Sequence, residues 1–278
     1  MILNVYKEKN MTSRDVVNIL NKYFNIKKIG HTGTLDPIAT GVLVCLIGND
    51  TKLVNIITAN KKEYIATMKL GVKTDTLDIT GNIIEKKDYK VDKEKIVKVL
   101  NSFLGESMQE VPKYSAIKIN GKKLYEYARE NINIQLPKRT INIYDIELLE
   151  YNDDTIKFRV IVSKGTYIRS LINDIANKLN TVAVMSDLIR TKQGIFTIEE
   201  SNKINDILNG NYKEVSYEKV FSNYEKIDLS DEDYFKVKNG SIMPINFNND
   251  EVIYTYKRKY IAIYEKINNE AKIKLMFN

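Results

Sequence analysis

The feature that most constrains this chain is a glycine- and threonine-rich segment that carries one carboxylate and leads directly into an apolar run. The segment is Gly30-His31-Thr32-Gly33-Thr34-Leu35-Asp36-Pro37-Ile38-Ala39-Thr40-Gly41, and the apolar run covers 42–47. Glycine lets a backbone approach a ligand closely or adopt positive φ, and the proline biases Asp36 toward an extended conformation. These residues alone leave two interpretations open: a reactive carboxylate presented to a substrate, or a turn in which Asp36 caps a helix or closes an Asx turn.

The same segment, extended to Leu43 as GHTGTLDPIATGVL, closely resembles the catalytic motif of the bacterial tRNA pseudouridine-55 synthases, the TruB family. The match is long and nearly unbroken, which makes it far more specific than an isolated glycine motif. The resemblance implies an intramolecular isomerase that converts the uridine at position 55 of the tRNA T loop to pseudouridine, with Asp36 as the catalytic residue. Because that uridine lies inside a folded loop, the enzyme must flip it into a pocket, and unstacking opposes this step.

Composition limits the partners and the chemistry. The 278 residues include 43 Lys and Arg against 36 Asp and Glu, a net charge of +7 that favours an anionic partner, although lysines on an ordinary surface would give the same total. One cysteine and one histidine nearly exclude a zinc site, and no nucleotide-binding glycine pattern follows a strand, so we expect neither a metal nor a cofactor. The single cysteine and the lack of a signal-peptide or membrane-length apolar segment predict a cytoplasmic protein without a membrane partner.

The succession of periodic segments predicts a mixed α+β protein in which antiparallel sheet dominates. Residues 63–70 alternate between two faces, as strands do, and 168–179 has the spacing of an amphipathic helix. The stretch from 227 shows short strands and turns, which alone indicate a small all-β module. The resemblance implies more: a pseudouridine-synthase catalytic domain over 1–222, built on a mainly antiparallel mixed sheet flanked by helices, with a T-loop-gripping insertion near 105–138, and a small PUA-like β-barrel over 227–278 that binds RNA.

Tyr64 is the candidate platform for the flipped base. The segment Lys61-Lys62-Glu63-Tyr64 resembles the K-x-Y motif of the family, whose tyrosine stacks on the target base. Stacking of a base on an aromatic ring contributes roughly 1–3 kcal/mol, comparable to the unstacking that flipping requires. Without the resemblance, an ordinary residue of an amphipathic strand would be the preferred interpretation of Tyr64.

Tyr167 and Arg169 belong to the segment 163–171, SKGTYIRSL, which resembles a third family motif whose tyrosine and arginine enter the active site. Arg169 is the candidate partner of Asp36, because a guanidinium matches a carboxylate at two points and stays charged. The resemblance implies that Tyr167 lies near the base. The alternative is that Arg169 is a solvated residue in the first turn of a helix, where a cation is unfavourable.

Two more binding residues are implied by the resemblance. His31 matches the family residue that helps to eject or replace the target nucleotide in the loop. Leu188 belongs to the segment Leu188-Ile189-Arg190-Thr191, which is similar to a family L-R-R-T segment with Ile189 in place of the first arginine. The resemblance implies that Leu188 forms an apolar wall of the uracil pocket.

Two further segments bear on the resemblance. Residues 112–129 resemble the segment that grips the T loop. The N-terminal motif departs from the family's K-P-x-G at Lys7-Glu8-Lys9-Asn10, which leaves the supporting role of Lys7 open.

The leading hypothesis is therefore catalysis on tRNA, with the T stem-loop as the partner of an enzyme expected to be a monomer. A first alternative is a tRNA-binding or folding chaperone module in which the chemistry is secondary or lost. The chain keeps Asp36, Tyr64, Tyr167 and Arg169, which favours catalysis. A second alternative is a guide-RNA-dependent relative of the dyskerin type, which the lack of extended basic tails or a larger C-terminal domain disfavours.

Overall fold

The computed structural model describes residues 1–58, 61–130 and 132–277. The strands are β1 Ile2–Lys7, β2 Ile29–His31, β3 Thr40–Ile47, β4 Lys62–Leu70, β5 Val72–Thr74, β6 Ile83–Lys86, β7 Gly105–Glu110, β8 Lys118–Ile119, β9 Lys122–Lys123, β10 Lys138–Asn152, β11 Thr155–Val162, β12 Ala183–Gln193, β13 Phe196–Thr197, β14 Asn202–Lys203, β15 Glu225–Asp228, β16 Glu251–Tyr256, β17 Lys259–Ile267 and β18 Glu270–Met276. The helices are α1 Ser13–Phe24, α2 Val54–Thr58 after a 3-10 turn Gly48–Leu53, α3 Lys93–Asn101, α4 Leu124–Arg129, α5 Ile168–Lys178, α6 Ile204–Leu208, α7 Tyr217–Val220 and α8 Asp231–Lys238. None of these helices is long and apolar enough to cross a membrane.

A ten-stranded sheet organises most of the chain. Its strand order is β14-β1-β3-β12-β4-β11-β10-β7, with β2 paired to β3 and β13 paired to β12. All pairs in it are antiparallel except β1 with β14 and β3 with β12. The prediction of a mainly antiparallel mixed sheet flanked by helices is confirmed. Because β3 and β12 run side by side, the loop that precedes β3 lies next to the middle of β12.

The main core lies between this sheet and the helices α3 and α5. Strand β4 alternates between buried and half-buried positions along its whole length, so one set of side chains faces the helices. The predicted strand at 63–70 and the predicted helix at 168–179 are both confirmed. The first five residues of α5 are all buried, so its N-terminal turn packs against the sheet.

The C-terminal stretch forms a second, four-stranded sheet in the order β15-β16-β17-β18. The prediction of a closed β-barrel was wrong. Among the described residues, β15 and β18 are the two edge strands of this sheet and do not pair with each other. Helix α8 covers the inner face instead, where Val237 packs with Tyr254 and Tyr264. A sequence of short strands cannot reveal whether the first and last of them meet, and so it does not distinguish an open sheet from a barrel.

The two sheets share one apolar cluster. Phe221 and the C-terminal residues Ile253 and Ile263 pack with Ile2 and Val42 of the large sheet. All five are at most 1% exposed. The C-terminal sheet is therefore fixed against the strand β3 that follows the glycine-rich loop.

Candidate active site

The loop that carries Asp36 is fastened at both sides of the carboxylate. The main-chain N–H of Asn10 donates to the Pro37 carbonyl at 2.8 Å. On the other side the Leu35 N–H donates to Ser13 Oγ at 2.8 Å, at the N-terminus of α1. These hydrogen bonds tie the loop to α1 and to the connection between β1 and α1, so the backbone around Asp36 has a defined position.

Arg169 reaches Asp36 from the first turn of α5 and forms a two-point ion pair with it. Its Nη2 donates to Oδ1 at 3.0 Å, and its Nε lies 3.0 Å from Oδ2. The guanidinium is held from behind by main-chain carbonyls, with Nη1 donating to Thr76 at 3.0 Å and Nη2 to Tyr114 at 2.9 Å. The Arg169 side chain is 6% exposed and that of Asp36 is 29% exposed, so the cation is buried and the carboxylate still faces open space.

Burial has the largest effect on the pKa of the Asp36 carboxyl group. Burial raises the pKa of Asp36, the ion pair with Arg169 opposes that rise, and the nearby charge of Asp78 adds to it. Asp78 is 7% exposed, and its Oδ1 accepts hydrogen bonds from the Thr76 hydroxyl and from the N–H and hydroxyl of Thr80. Sequence reasoning missed Asp78, although the dense run of Asp and Thr after β4 is a visible signal.

The ion pair borders a cavity of about 480 Å³. Tyr64 faces the cavity from β4 and Leu188 from β12, and these two strands pair side by side. Tyr167 lines the cavity immediately before α5, where the Gln109 side chain both accepts from its N–H at 2.8 Å and donates to its carbonyl at 3.1 Å. Sequence reasoning did not single out several further lining residues: Thr58, Lys62, Tyr114, Ser115, Tyr125 and Arg190.

His31 is the one predicted site residue that does not line this cavity. It ends β2, pairs with Cys45 and is half-buried, with Nδ1 accepting from the Gly33 N–H at 3.3 Å. Burial, together with the positive charges of Arg190 and Arg14, lowers the pKa of His31. The neutral form of the imidazole is therefore favoured, and the ring lies at the edge of the loop that carries Asp36.

The sequence left the supporting role of Lys7 open. In the structure Lys7 is fully buried beneath the loop that carries Asp36. Its Nζ donates to the main-chain carbonyls of Glu8 at 2.9 Å, Met11 at 2.6 Å and Pro37 at 3.3 Å. Burial lowers the pKa of Lys7 to about 8, against an attraction from Asp36. The ammonium group supports the Asp36 loop through these main-chain contacts.

The buried Lys7 predicts a characteristic pH dependence of stability. Its folded-state pKa of about 8 lies below its ordinary value of 10.5, so between these values the unfolded chain holds more protons and the free energy of unfolding rises with pH. From pH 8 to pH 10 we expect a gain of about 2 kcal/mol from this group. Denaturant titrations at several pH values give the free energy of unfolding of the wild type and of Lys7→Met, and the wild type should gain more stability between pH 8 and pH 10. An equal pH dependence of the two proteins would contradict the assignment.

Among the described residues, no group of three or more His, Cys, Asp or Glu side chains is placed to hold a metal ion. The charged groups that the cavity does bring together are Asp36, Arg169, Lys62 and Arg190. Such a set can polarise and orient an uncharged base while it attracts the charged backbone of a nucleic acid.

Comparison with known proteins places the chain in a family. The model of the TruB family pseudouridylate synthase N-terminal domain matches residues 21–168. The chain is 44% identical over 283 residues to the tRNA pseudouridine synthase B of Clostridium tetani, covering 98% of this chain and 97% of that protein. It is 43% identical over 274 residues to the protein of the same name from Mesoplasma florum, with coverage of 98% and 94%.

Among solved structures, the chain resembles a protein in a crystal structure of a Cbf5-Nop10-Gar1 complex. That similarity has a TM-score of 0.75 at 26% identity and covers 99% of this chain and 84% of the other. With the family match and the near full-length relatives, the fold and the cavity define a pseudouridylate synthase. The chain belongs to the TruB family.

Proposed function

We propose that this chain converts a uridine of tRNA, the T-loop uridine at position 55, to pseudouridine. The observation that carries the proposal is the two-point ion pair of Asp36 and Arg169 at a tyrosine-lined cavity. Membership of the TruB family and the names of the curated relatives support the substrate class. The reaction is an isomerisation: the bond from ribose C1′ to N1 of uracil breaks, a bond from C1′ to C5 forms, and the C5 proton leaves while N1 gains one.

Asp36 is proposed as the reactive group. Its carboxylate is partly open to the cavity, while Arg169 holds both oxygens on the buried side. An ionised carboxylate so placed acts on the sugar of the flipped nucleotide, either by adding to it or by removing a sugar proton. Both routes need the charged form, which Arg169 favours against the burial that raises the pKa of Asp36.

Tyr64, Tyr167 and Leu188 are proposed to bind the base. Tyr64 is 6% exposed and Leu188 is 4% exposed, so both are set rigidly in the sheet. Tyr167 is held by Gln109 and lies beneath the guanidinium of Arg139, 5.5 Å from the ring centre. Two aromatic faces and an apolar wall suit a planar, uncharged pyrimidine.

Removing the ring of Tyr64 should weaken RNA binding. We expect Tyr64→Leu to bind a T-loop RNA hairpin about five- to hundredfold more weakly, the equivalent of one stacked base, whereas Tyr64→Phe keeps the aromatic face and binds like the wild type. Fluorescence titration of a labelled hairpin measures both. Equal affinities of the leucine and phenylalanine variants would show that this ring does not carry the base.

The remaining regions are proposed to hold the rest of the tRNA. In the segment near 105–138, cations lie over tyrosine rings, with Lys122 5.0 Å from the Tyr127 ring centre and Arg129 5.3 Å from that of Tyr125, a surface suited to phosphates and unstacked bases. His31, at the edge of the Asp36 loop, takes the place left by the flipped nucleotide. We further propose a catalytic unit over 1–222 and an RNA-binding, PUA-like unit over 227–278, in a cytoplasmic monomer.

The proposal is tested on an unmodified tRNA transcript incubated with the purified chain and no other RNA or protein. Because pseudouridine has the mass of uridine, the product is mapped as a position-specific chemical derivative. We expect one pseudouridine, in the T loop. Conversion only when a guide RNA is added would favour the guide-dependent alternative, and refolding of tRNA without any conversion would favour the chaperone alternative.

A further inference from the structure

A second cluster of positive charge lies in the same cavity, and the proposed chemistry does not use it. Lys62 and Arg190 both line the cavity with Asp36, yet they are 7% and 1% exposed. Arg190 donates to two main-chain carbonyls, Nε to Val42 at 2.6 Å and Nη2 to Gly33 at 3.0 Å. No carboxylate of the described residues forms an ion pair with Arg190, so this buried charge is not neutralised by the protein.

The side chains of Arg190 and Lys62 approach each other beside the glycine-rich loop. A Cβ atom placed on Gly33 would lie 3.5 Å from Arg190 Nη1 and 3.7 Å from Lys62 Cε. Glycine at this position leaves that space open. Thr58 also lines the cavity: its carbonyl accepts from Lys62 Nζ at 3.0 Å, and its buried hydroxyl oxygen makes no hydrogen bond to any described residue. The space is thus bordered by two cations and a hydroxyl group.

The position of this cluster relative to the base platform is set by the strands. Lys62 and Tyr64 are two residues apart on β4 and both are buried, so their side chains share one face about 7 Å apart. Tyr64 is also the direct cross-strand partner of Arg190. A nucleotide whose base lies against Tyr64 therefore brings its backbone close to Lys62 and Arg190.

We propose that Lys62, Arg190 and Thr58 form a subsite for a phosphodiester group that flanks the flipped nucleotide. Lys62 makes the direct contact, and Arg190 adds positive charge from beneath. Burial and the positive charges of Arg190 and Lys164 lower the pKa of Lys62 to about 8, and an arriving phosphate would relieve that repulsion. The subsite rests on the proposed function, because it assigns the backbone of the same nucleotide whose base the cavity would hold.

The test combines a protein variant with a neutral linkage in the RNA. T-loop hairpins carry a methylphosphonate at the linkage on the 5′ or the 3′ side of the target uridine, and the nucleotide before each altered linkage is 2′-deoxy in all RNAs to keep the linkage stable. Equilibrium affinity is measured for the wild type, Lys62→Met and Lys62→Arg. Lys69→Met, on the same strand with an exposed side chain, is the matched control.

We expect one of the two neutral linkages to weaken binding to the wild type and to Lys69→Met by about tenfold or more, as for a charged hydrogen bond. Lys62→Met should lose a similar factor on the unaltered hairpin and show no further loss with that linkage, with the salt slope of binding reduced by about 0.7. Lys62→Arg should keep the sensitivity. The linkage affected identifies the phosphate.

Two results would overturn the subsite. In the first, the losses of affinity caused by Lys62→Met and by the neutral linkage multiply when the two changes are combined. In the second, neither neutral linkage weakens binding to the wild type. Failure of the proposed function has a separate signature. In that case the wild type makes no pseudouridine in the unmodified transcript, and this result does not depend on the binding measurements.

Discussion

Replacing Asp36 by asparagine is expected to reduce pseudouridine formation by at least about a thousandfold, while the affinity for tRNA stays within about tenfold of the wild type. The amide has the same shape and can still accept from Arg169 at one oxygen, but it has no negative charge to act on the sugar. Single-turnover conversion of a tRNA transcript and equilibrium binding measure the two quantities separately.

The Asp36→Asn variant should also fold normally. Because the folded-state pKa of Asp36 is raised, the folded chain holds this proton more tightly than the unfolded chain, and the carboxyl's contribution to stability falls as pH rises above its ordinary pKa. At pH 7 the asparagine variant should therefore lose less stability than Arg169→Met, because Arg169 keeps its hydrogen bonds to the main-chain carbonyls of Thr76 and Tyr114. Asp154→Asn, which removes a surface ion pair with Lys69, is the matched control and should retain full activity. Wild-type turnover by Asp36→Asn would refute the catalytic assignment.

Replacing Arg169 by methionine is expected to have the second-largest effect, because it leaves Asp36 in a buried site without its counter-ion. Burial and the charge of Asp78 then raise the pKa of Asp36 against only the weaker attraction of Lys7, and the carboxyl is protonated over more of the working pH range. We expect activity at pH 7 to fall by about a hundredfold or more and stability to fall by about 3 kcal/mol, as for a broken buried ion pair.

Arg169→Lys separates charge from geometry. A lysine keeps the positive charge but cannot contact both Asp36 oxygens and two main-chain carbonyls at once, so its activity should lie between those of the wild type and Arg169→Met. The control is Arg159→Met, which removes an arginine outside the cavity lining from its ion pairs with Glu63, Asp145 and Glu147 and should keep wild-type activity. An Arg169→Met variant with the activity of Arg159→Met would contradict the role of the ion pair.

The parts of this structure that the sequence predicts well are those with a strong period or a strong motif. The alternation along β4 gave both the strand and the buried face on which Tyr64 lies. The apolar spacing after Tyr167 gave α5, and with it the place of Arg169 at the start of a helix. The contact of Arg169 with Asp36, 133 residues away, could be anticipated only through family resemblance, because no local pattern joins two distant segments.

The features of the structure that could not be predicted from the sequence depend on long-range packing. Asp78 and Lys7 are charged residues in irregular or mixed segments, where a solvated position is the ordinary expectation, and only the fold buries them. The dominance of burial over Arg169 in the pKa of Asp36 also depends on the surrounding packing. The open C-terminal sheet differs from the expected barrel because helix α8 covers its face.

The most direct test of the central claim compares the titration of one carboxyl group with the rate of the reaction. Asp36 is followed by carbon NMR in protein labelled at aspartate side chains, assigned by the signal lost in Asp36→Asn, while single-turnover pseudouridine formation is measured over the same pH range. The account predicts that the rate rises as Asp36 ionises, with both curves centred above its ordinary pKa of 3.8. A rate that stays constant while Asp36 titrates would contradict it.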